Sequence, residues 1–356
     1  MDMPLTICII AKNEEKNLRQ CLQGIVPLQC NIVFVDTGST DSTIAIASQY
    51  TDRIFSFPWK DDFSAARNFA AQQSDSDWIL SLDCDEFLTE ADLGLLTEAM
   101  QQNPDRIGVI TLLNPYEAQD AGPKLLHEHL SRLYNRTIYH FQGRVHETLT
   151  PINANEEPRH FEVPLTFYHA GYQSAEMRRA KAERDLRLLQ TELSDKGPDP
   201  YIYFQMGQSY AALGDKAFAA HYFDKGLSMD VDPRLYYVQE MIEAYGYALL
   251  DLGRYEKALG LEAVYDSFAG RADFLFLMGL IYMNNGRFDD AIAEFTKATQ
   301  TPVYCAEGVN SYSAHYNIGV ILEVTGRIDE AVREYESCGN YRPALSRLEK
   351  LATVSR

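Results

Sequence analysis

A glycine-based pattern recurs four times in the second half of this 356-residue chain and restricts that half to a stack of helix pairs. Gly207-x-x-Tyr210-x-x-x-Gly214 is followed by Gly246-x-x-Leu249-x-x-x-Gly253, Gly279-x-x-Tyr282-x-x-x-Gly286 and Gly319-x-x-Leu322-x-x-x-Gly326. An alanine stands five residues beyond each second glycine, at Ala219, Ala258, Ala291 and Ala331. Four residues later come Phe223, Glu262, Phe295 and Tyr335, so the second unit alone lacks the aromatic. Small residues at fixed spacing let paired helices approach closely, while aromatics and leucines fill the space between them. The first glycines are 39, 33 and 40 residues apart, which implies longer connections in two units. A helix over Ala175–Leu193, stopped by Gly197-Pro198, leads into the array.

The first half alternates instead. Apolar, β-branched runs at Leu5–Ile10, Asn31–Val35, Ile54–Phe57, Trp78–Leu82 and Val109–Leu112 read as strands. Helical stretches separate them, one running to about Gln49 and others at Ser64–Gln73 and Glu90–Met100, and Asn13 is placed to cap the helix after the first strand. This order favours a mostly parallel α/β sheet covered by helices, with ligands outside the carboxyl ends of its strands. Composition removes other classes. An apolar fraction of 46% is too high for a disordered chain, and a net charge of −19 opposes a broad nucleic-acid-binding surface. Cys8, Cys21, Cys30, Cys84, Cys305 and Cys338 show neither zinc nor disulfide-framework spacing. The apolar run Leu5–Ala11 is short for a signal sequence or span, so the expectation is a cytoplasmic protein with no membrane span and no nucleic-acid partner.

Asp-x-Asp occurs three times, at Asp75/Asp77, Asp83/Asp85 and Asp230/Asp232, so the tripeptide alone carries little. Only Asp83-Cys84-Asp85 directly follows a strong apolar strand, which delivers two carboxylates to the sheet edge. Like charges placed so closely call for a cation or hydrogen-bond donors, and a hard ion such as Mn²⁺ or Mg²⁺ holding a diphosphate is the natural partner. A helix-capping acidic turn, with Glu86 and Thr89 following, is the plainer alternative.

Four motifs in order give the first domain its resemblance to family 2 glycosyltransferases of the GT-A fold. They are Ala11-Lys12-Asn13-Glu14-Glu15, Val35-Asp36-Thr37-Gly38-Ser39-Thr40-Asp41, Ala66-Arg67-Asn68 and Leu82-Asp83-Cys84-Asp85-Glu86, and residues 4–172 carry the likeness. The second half resembles tetratricopeptide repeats, whose period is about 34 residues. Gly143-Arg144-Val145-His146-Glu147 and Phe167-Tyr168-His169-Ala170-Gly171-Tyr172 are similar to the subset that joins both parts, which includes bacteriocin-peptide glycosyltransferases and lipopolysaccharide-core glucosyltransferases. The expected layout is a GT-A domain over 1–172, a connecting helix over 173–197 and repeats over 198–356.

The resemblance implies a metal-dependent, inverting transfer of a sugar from a nucleotide-diphosphate donor, with UDP foremost, to a peptide, protein or saccharide. By it, Asp36 accepts from the base, Ala11, Asn13 and Glu14 line the nucleoside pocket, and Arg67 stabilises donor charge. Asp83 contacts ribose or metal-bound water, Cys84 is a spacer in the donor motif, and Asp85 binds the metal, with His169 as a further ligand. Glu147 is the expected base and His146 the second candidate, since imidazole titrates nearer neutrality. A salt-bridged turn with Arg144 is the structural alternative for both. Six of eight histidines lie between residues 127 and 169, marking a functional face or a polar lid. The repeats are open to acceptor binding or to pairing two copies. Competing readings are an inactive repeat scaffold and a nucleotidyltransferase, the latter opposed by the acidic loop after the first strand.

Overall fold

The computed structural model describes residues 5–118, 122–153, 155–170 and 175–354. They fall into two compact units, Met1–Asn114 with His127–Met177, and Pro115–Leu126 with Arg178–Arg356. The domain junction expected at residue 172, and the Gly171-Tyr172 end of the late motif, lie outside the described residues.

In the first unit, β1 (Leu5–Ala11), β2 (Asn31–Asp36), β3 (Ile54–Ser56) and β4 (Trp78–Leu82) run parallel, joined through α1 (Leu18–Ile25), α2 (Thr43–Ala47) and α3 (Phe63–Gln72). Then follow β5 (Glu86–Ala91), α4 (Leu93–Gln102), β6 (Ile107–Ala118), β7 (Gly122–Asn135), β8 (Tyr139–Gln142), β9 (Thr148–Pro151) and β10 (His160–His169). Eight strands form one sheet in the order β3-β2-β1-β4-β7-β6-β10-β5, and β8 pairs with β9 apart from it. β7 is antiparallel to β4 and β5 to β10, whereas β10 is parallel to β6. The sheet is therefore mixed, where the alternation of runs pointed to a mostly parallel one. Helices cover both faces, which is why β1 is apolar at nearly every position. Leu5, Ile7 and Ile9 pack with Leu18, Leu22 and Leu96 on one side, and Cys8 packs with Ala66 and Ala70 of α3 on the other.

The stretch Glu90–Met100, expected to be one helix, is split between two elements. Glu90 and Ala91 finish the edge strand β5, and Asp92 then caps α4 by accepting from the Leu95 N–H at 3.0 Å.

The second unit contains α5 (Ala175–Lys196), the pair α6 (Pro200–Ala212) and α7 (Lys216–Leu227), and then α8 (Tyr236–Asp251). Where a long partner for α8 would stand, the chain makes two single-turn helices, α9 (Tyr255–Ala258) and α10 (Tyr265–Phe268). Regular pairing resumes with α11 (Ala272–Asn284) and α12 (Phe288–Thr299), then α13 (Tyr312–Val324) and α14 (Ile328–Ser337), followed by α15 (Arg342–Val354). The repeated glycines explain themselves in this packing. A Cβ on Gly279 or Gly319 would stand 2.6 Å from the ring of Phe295 or Tyr335, and one on Gly207 would collide with Phe223. In the second repeat, which lacks the aromatic, Gly246 is covered by Leu277 and Leu261 instead. The long link between α12 and α13 is held by Asp273, whose carboxylate accepts from the Cys305 and Ala306 N–H groups, each at 2.8 Å. Among the described residues there is no disulfide, and no helix is long and apolar enough to cross a membrane.

Candidate active site

The carboxyl ends of β1 and β2 carry two loops that are bonded to each other. Ala11, buried at the end of β1, accepts through its carbonyl from the Thr37 N–H at 2.9 Å and from Thr37 Oγ1 at 3.0 Å. Asn13 does not cap α1. It adopts a left-handed φ of +59°, and its Oδ1 accepts from the Thr40 N–H at 2.8 Å while its own N–H donates to Ser39 Oγ at 2.9 Å. A short amide side chain tolerates this conformation better than most. The Glu14 N–H donates to Thr43 Oγ1 at 2.7 Å, completing the stitch. Asp36 is buried and accepts from the Gly38 and Ser39 N–H groups at 3.0 and 3.1 Å, so the carboxylate first shapes its own turn. Glu14 is half-buried, and burial together with the charges of Asp85, Asp83 and Asp41 raises its carboxyl above the usual range, against a lowering hydrogen bond from Asn17.

At the end of β4 a buried ionic network begins. Arg67 on α3 donates through Nη2 to Asp83 Oδ1 at 2.7 Å, through Nη1 to Ser81 Oγ at 2.8 Å, and through Nε to Glu147 Oε1. Its guanidinium lies over the Phe141 ring, 5.6 Å from the centroid. Asn68, the next residue of the Ala-Arg-Asn motif, pins β8 through both amide atoms: Nδ2 donates to the Phe141 carbonyl at 2.8 Å, and Oδ1 accepts from the Phe141 N–H at 2.9 Å. The Phe63 N–H donates to the Arg144 carbonyl at 2.8 Å. One helix therefore anchors the whole 141–147 segment, including His146, which has a left-handed φ of +52°. Glu147 is ion-paired, but to Arg67 rather than within its own turn; among the described residues Oε1 is engaged and Oε2 is left open to a proton.

Asp83 has a second cationic partner. Arg132 of β7 donates through Nη2 to Asp83 Oδ2 at 2.8 Å and to Glu86 Oε1 at 3.1 Å. Glu86 Oε2 in turn accepts from the Asp83 N–H at 3.1 Å. Glu86 is 2% exposed, and burial raises its carboxyl above the ordinary value against the pull of Arg132. Burial also works against the Arg132 charge, yet Glu86 and Asp83 outweigh it and hold the guanidinium protonated. Both oxygens of Asp83, expected among the metal ligands, thus accept from arginines.

Asp85 is placed differently. Its Oδ2 lies 3.2 Å from His169 Nε2, while His169 Nδ1 lies 2.6 Å from Asn114 Oδ1. Cys84 between the two aspartates points into the core; burial drives its thiol well above the ordinary value, and Cys21 and the neighbouring carboxylates add to the rise. One carboxylate oxygen and one imidazole nitrogen would suit a divalent ion of intermediate hardness such as Mn²⁺. Among the described residues no three His, Cys, Asp or Glu side chains are gathered into a cage. An ion at Asp85 and His169 would complete its shell with phosphate oxygens and water, as magnesium-type ions do.

The other Asp-x-Asp pairs are surface features: Asp75 pairs with Arg53, Asp77 with Arg136 at 4.0 Å, and Asp232 with Arg234 at 2.6 Å. The histidine-rich stretch is dispersed, with His160 and His169 at opposite ends of β10. Arg132 and Asn114 entered the site without a motif to announce them, and Glu86, the last residue of the acidic motif, entered without an expected role. Asn114 is a polar residue closing an apolar run, but Arg132 has no local signal.

Residues 6–154 match the glycosyl transferase family 2 model, and residues 200–232, 244–304 and 276–337 match tetratricopeptide repeat models. The chain thus carries a family 2 glycosyltransferase domain followed by tetratricopeptide repeats. Among its relatives is a TPR repeat-containing protein of Synechococcus elongatus, 27% identical over 334 residues, covering 91% of this chain and 72% of that one. The SPbeta prophage-derived glycosyltransferase SunS of Bacillus subtilis is 28% identical over 233 residues, covering 64% of this chain and 54% of SunS. The lipopolysaccharide core biosynthesis glycosyltransferase LpsC of Rhizobium meliloti is 33% identical over 120 residues, covering 32% of this chain and 43% of LpsC. The chain therefore spans about half the length of these two glycosyltransferases. Among solved structures, YrrB, described as a TPR protein with an unusual peptide-binding site, is similar at 20% identity and a TM-score of 0.41, covering 49% of this chain and 88% of YrrB.

Proposed function

We propose that the chain is a cytoplasmic, inverting glycosyltransferase that moves a sugar from a nucleotide-diphosphate donor, UDP-sugar foremost, to a peptide, protein or saccharide acceptor. The observation that carries this reading is the division of labour around the β4 end: Asp85 faces His169, while Asp83 and Glu147 share Arg67. Asp85 and His169 are the residues to hold Mn²⁺ or Mg²⁺, which when bound neutralises charge on the leaving diphosphate. Asp36, Ala11, Asn13 and Glu14 form the nucleoside end, and Asp83, fixed by two arginines, offers its edge to the ribose. Glu147 takes the acceptor proton on Oε2 as the acceptor heteroatom attacks the anomeric carbon and the bond from that carbon to the diphosphate oxygen breaks. The ion pair with Arg67 fixes this carboxylate through Oε1. His146 is the alternative base. The repeats supply the surface that binds a polypeptide acceptor.

Calorimetry of UDP with and without Mn²⁺ tests the donor half. Wild type should bind UDP in a metal-dependent way and Asp85→Ala should lose that dependence; equal metal-dependent affinity in both removes Asp85 from the site. Single-turnover transfer at saturating donor tests the base. Glu147→Gln should keep UDP affinity while transfer falls on the order of 10²–10⁴-fold. Should His146→Ala lose transfer while Glu147→Gln keeps it, the base is the imidazole.

A further inference from the structure

The sheet register brings three side chains from distant parts of the chain into one line. β10 is parallel to β6 with Tyr168 opposite Leu113, which sets His169 beside Asn114. On its other side β10 pairs with β5, His169 standing opposite Glu86, and the Ala170 N–H donates to the Asp85 carbonyl at 2.8 Å. The imidazole therefore lies between Asn114 Oδ1, 2.6 Å from Nδ1, and Asp85 Oδ2, 3.2 Å from Nε2. We propose that Asn114 is a positioning residue that fixes the protonated atom of His169 at Nδ1, so that Nε2 turns toward Asp85 and the two form a cation-binding pair. This rests on the cation reading given above.

A neutral imidazole donates from one nitrogen and accepts at the other. Donation from Nδ1 to the Asn114 carbonyl oxygen leaves a lone pair on Nε2 facing a carboxylate oxygen. Two acceptors in that position invite a cation between them. An amide is suited to the orienting task because it carries no charge of its own and does not titrate. The opposite arrangement, with the amide rotated so that its NH₂ donates to Nδ1, would put the proton on Nε2 against Asp85 and close the pair to a metal. Orienting partners of this kind commonly govern metal affinity on the order of 10–100-fold.

The test uses the full chain with ¹⁵N-labelled histidine, metal-free at pH 8, with His169 assigned by loss of its signals in His169→Gln. Long-range proton–nitrogen correlations should show Nδ1 of His169 protonated in the wild type. A proton on Nε2, whether or not Nδ1 also carries one, overturns the proposal without need of any variant. Mn²⁺ affinity in the presence of UDP, read by electron paramagnetic resonance, should fall 10–100-fold in Asn114→Leu and stay within a few-fold in Asn114→Asp, which keeps an acceptor at Nδ1. UDP affinity without metal should not change in either. Equal Mn²⁺ affinity in wild type and Asn114→Leu, or an equal loss in both variants, refutes it. A wild type that binds neither UDP nor Mn²⁺ refutes the donor reading instead, and leaves the nitrogen spectrum to decide the role of Asn114.

Discussion

Replacing Arg132 by Met isolates the cost of the buried network at the end of β4. The side chain is 13% exposed and its Nη2 serves Asp83 and Glu86 together, at 2.8 and 3.1 Å. Asp83 keeps Arg67 in the variant, but Glu86 is left as a buried charge without its main counterweight. Its penalty has a ceiling, because the carboxyl can take up a proton instead of remaining ionised. Measured from the ordinary value of 4.5 that escape costs at most about 3 kcal/mol at pH 7, and less relative to wild type, in which burial already raises the carboxyl. The sign follows from the raised carboxyl: the folded variant binds more protons than the unfolded chain, so its stability falls as pH rises above about 4.5. The deficit relative to wild type should shrink to no more than about 1 kcal/mol at pH 5.5. Both tryptophans, Trp59 and Trp78, lie in the first unit, so their fluorescence during thermal unfolding reports it selectively. At roughly 2–4 °C per kcal/mol, Arg132→Met should lower the midpoint by up to about 6–12 °C at pH 7, and Arg132→Met/Glu86→Gln should recover most of it. A loss below about 1 kcal/mol, a loss independent of pH, or no recovery in the double variant would refute the reasoning.

Two further outcomes test the repeats. Gly279→Ala would press a Cβ to 2.6 Å from the fully buried Phe295 ring, so overpacking of about 1–3 kcal/mol should outweigh the better helix propensity of alanine, whereas Gly260→Ala, which meets nothing within 4 Å, should be neutral or mildly stabilising in urea unfolding followed by circular dichroism. Glu243 is pushed up to about 7 by burial, against the lowering effect of Arg271, so its contribution to stability is lost as pH rises between about 4.5 and 7. Glu243→Gln should therefore gain on wild type by about 2–3 kcal/mol between pH 5 and pH 8, and an unchanged difference across that interval would remove Glu243 from the pH dependence.

The parts of the fold that were legible in the sequence are those governed by local periodicity. The runs that became β1, β2 and β4 are apolar because both their faces are covered, and the repeat glycines are spaced by the aromatics they receive. β5 was misread because an edge strand needs no alternation, and Thr89-Glu90-Ala91 resembles the first turn of a helix as much as a strand end. The aspartates of the site stand at strand ends and could be picked out by that position. Arg132, Asn114 and the pairing of Glu86 with Arg132 could not, because they come from sheet register: β7 lies beside β4, and β10 lies between β6 and β5, an order that no local pattern encodes. The same limit explains Asn13, whose side chain serves the neighbouring loop and not its own helix.

The position of β5 has a consequence for how the protein is made. β5 follows the Asp83–Asp85 turn directly and is joined to the sheet through β10 alone, the last of the sheet's strands to be synthesised. Asp85 waits for a partner 84 residues downstream, and Arg67 for one 80 residues downstream. A growing chain on the ribosome therefore carries β5 and one side of β6 with unmet backbone donors and acceptors until residues 160–169 emerge and insert between them. Until that insertion the two open edges are free to pair with other chains, so the interval before it is the stretch of biosynthesis in which the sheet is most exposed to misassembly.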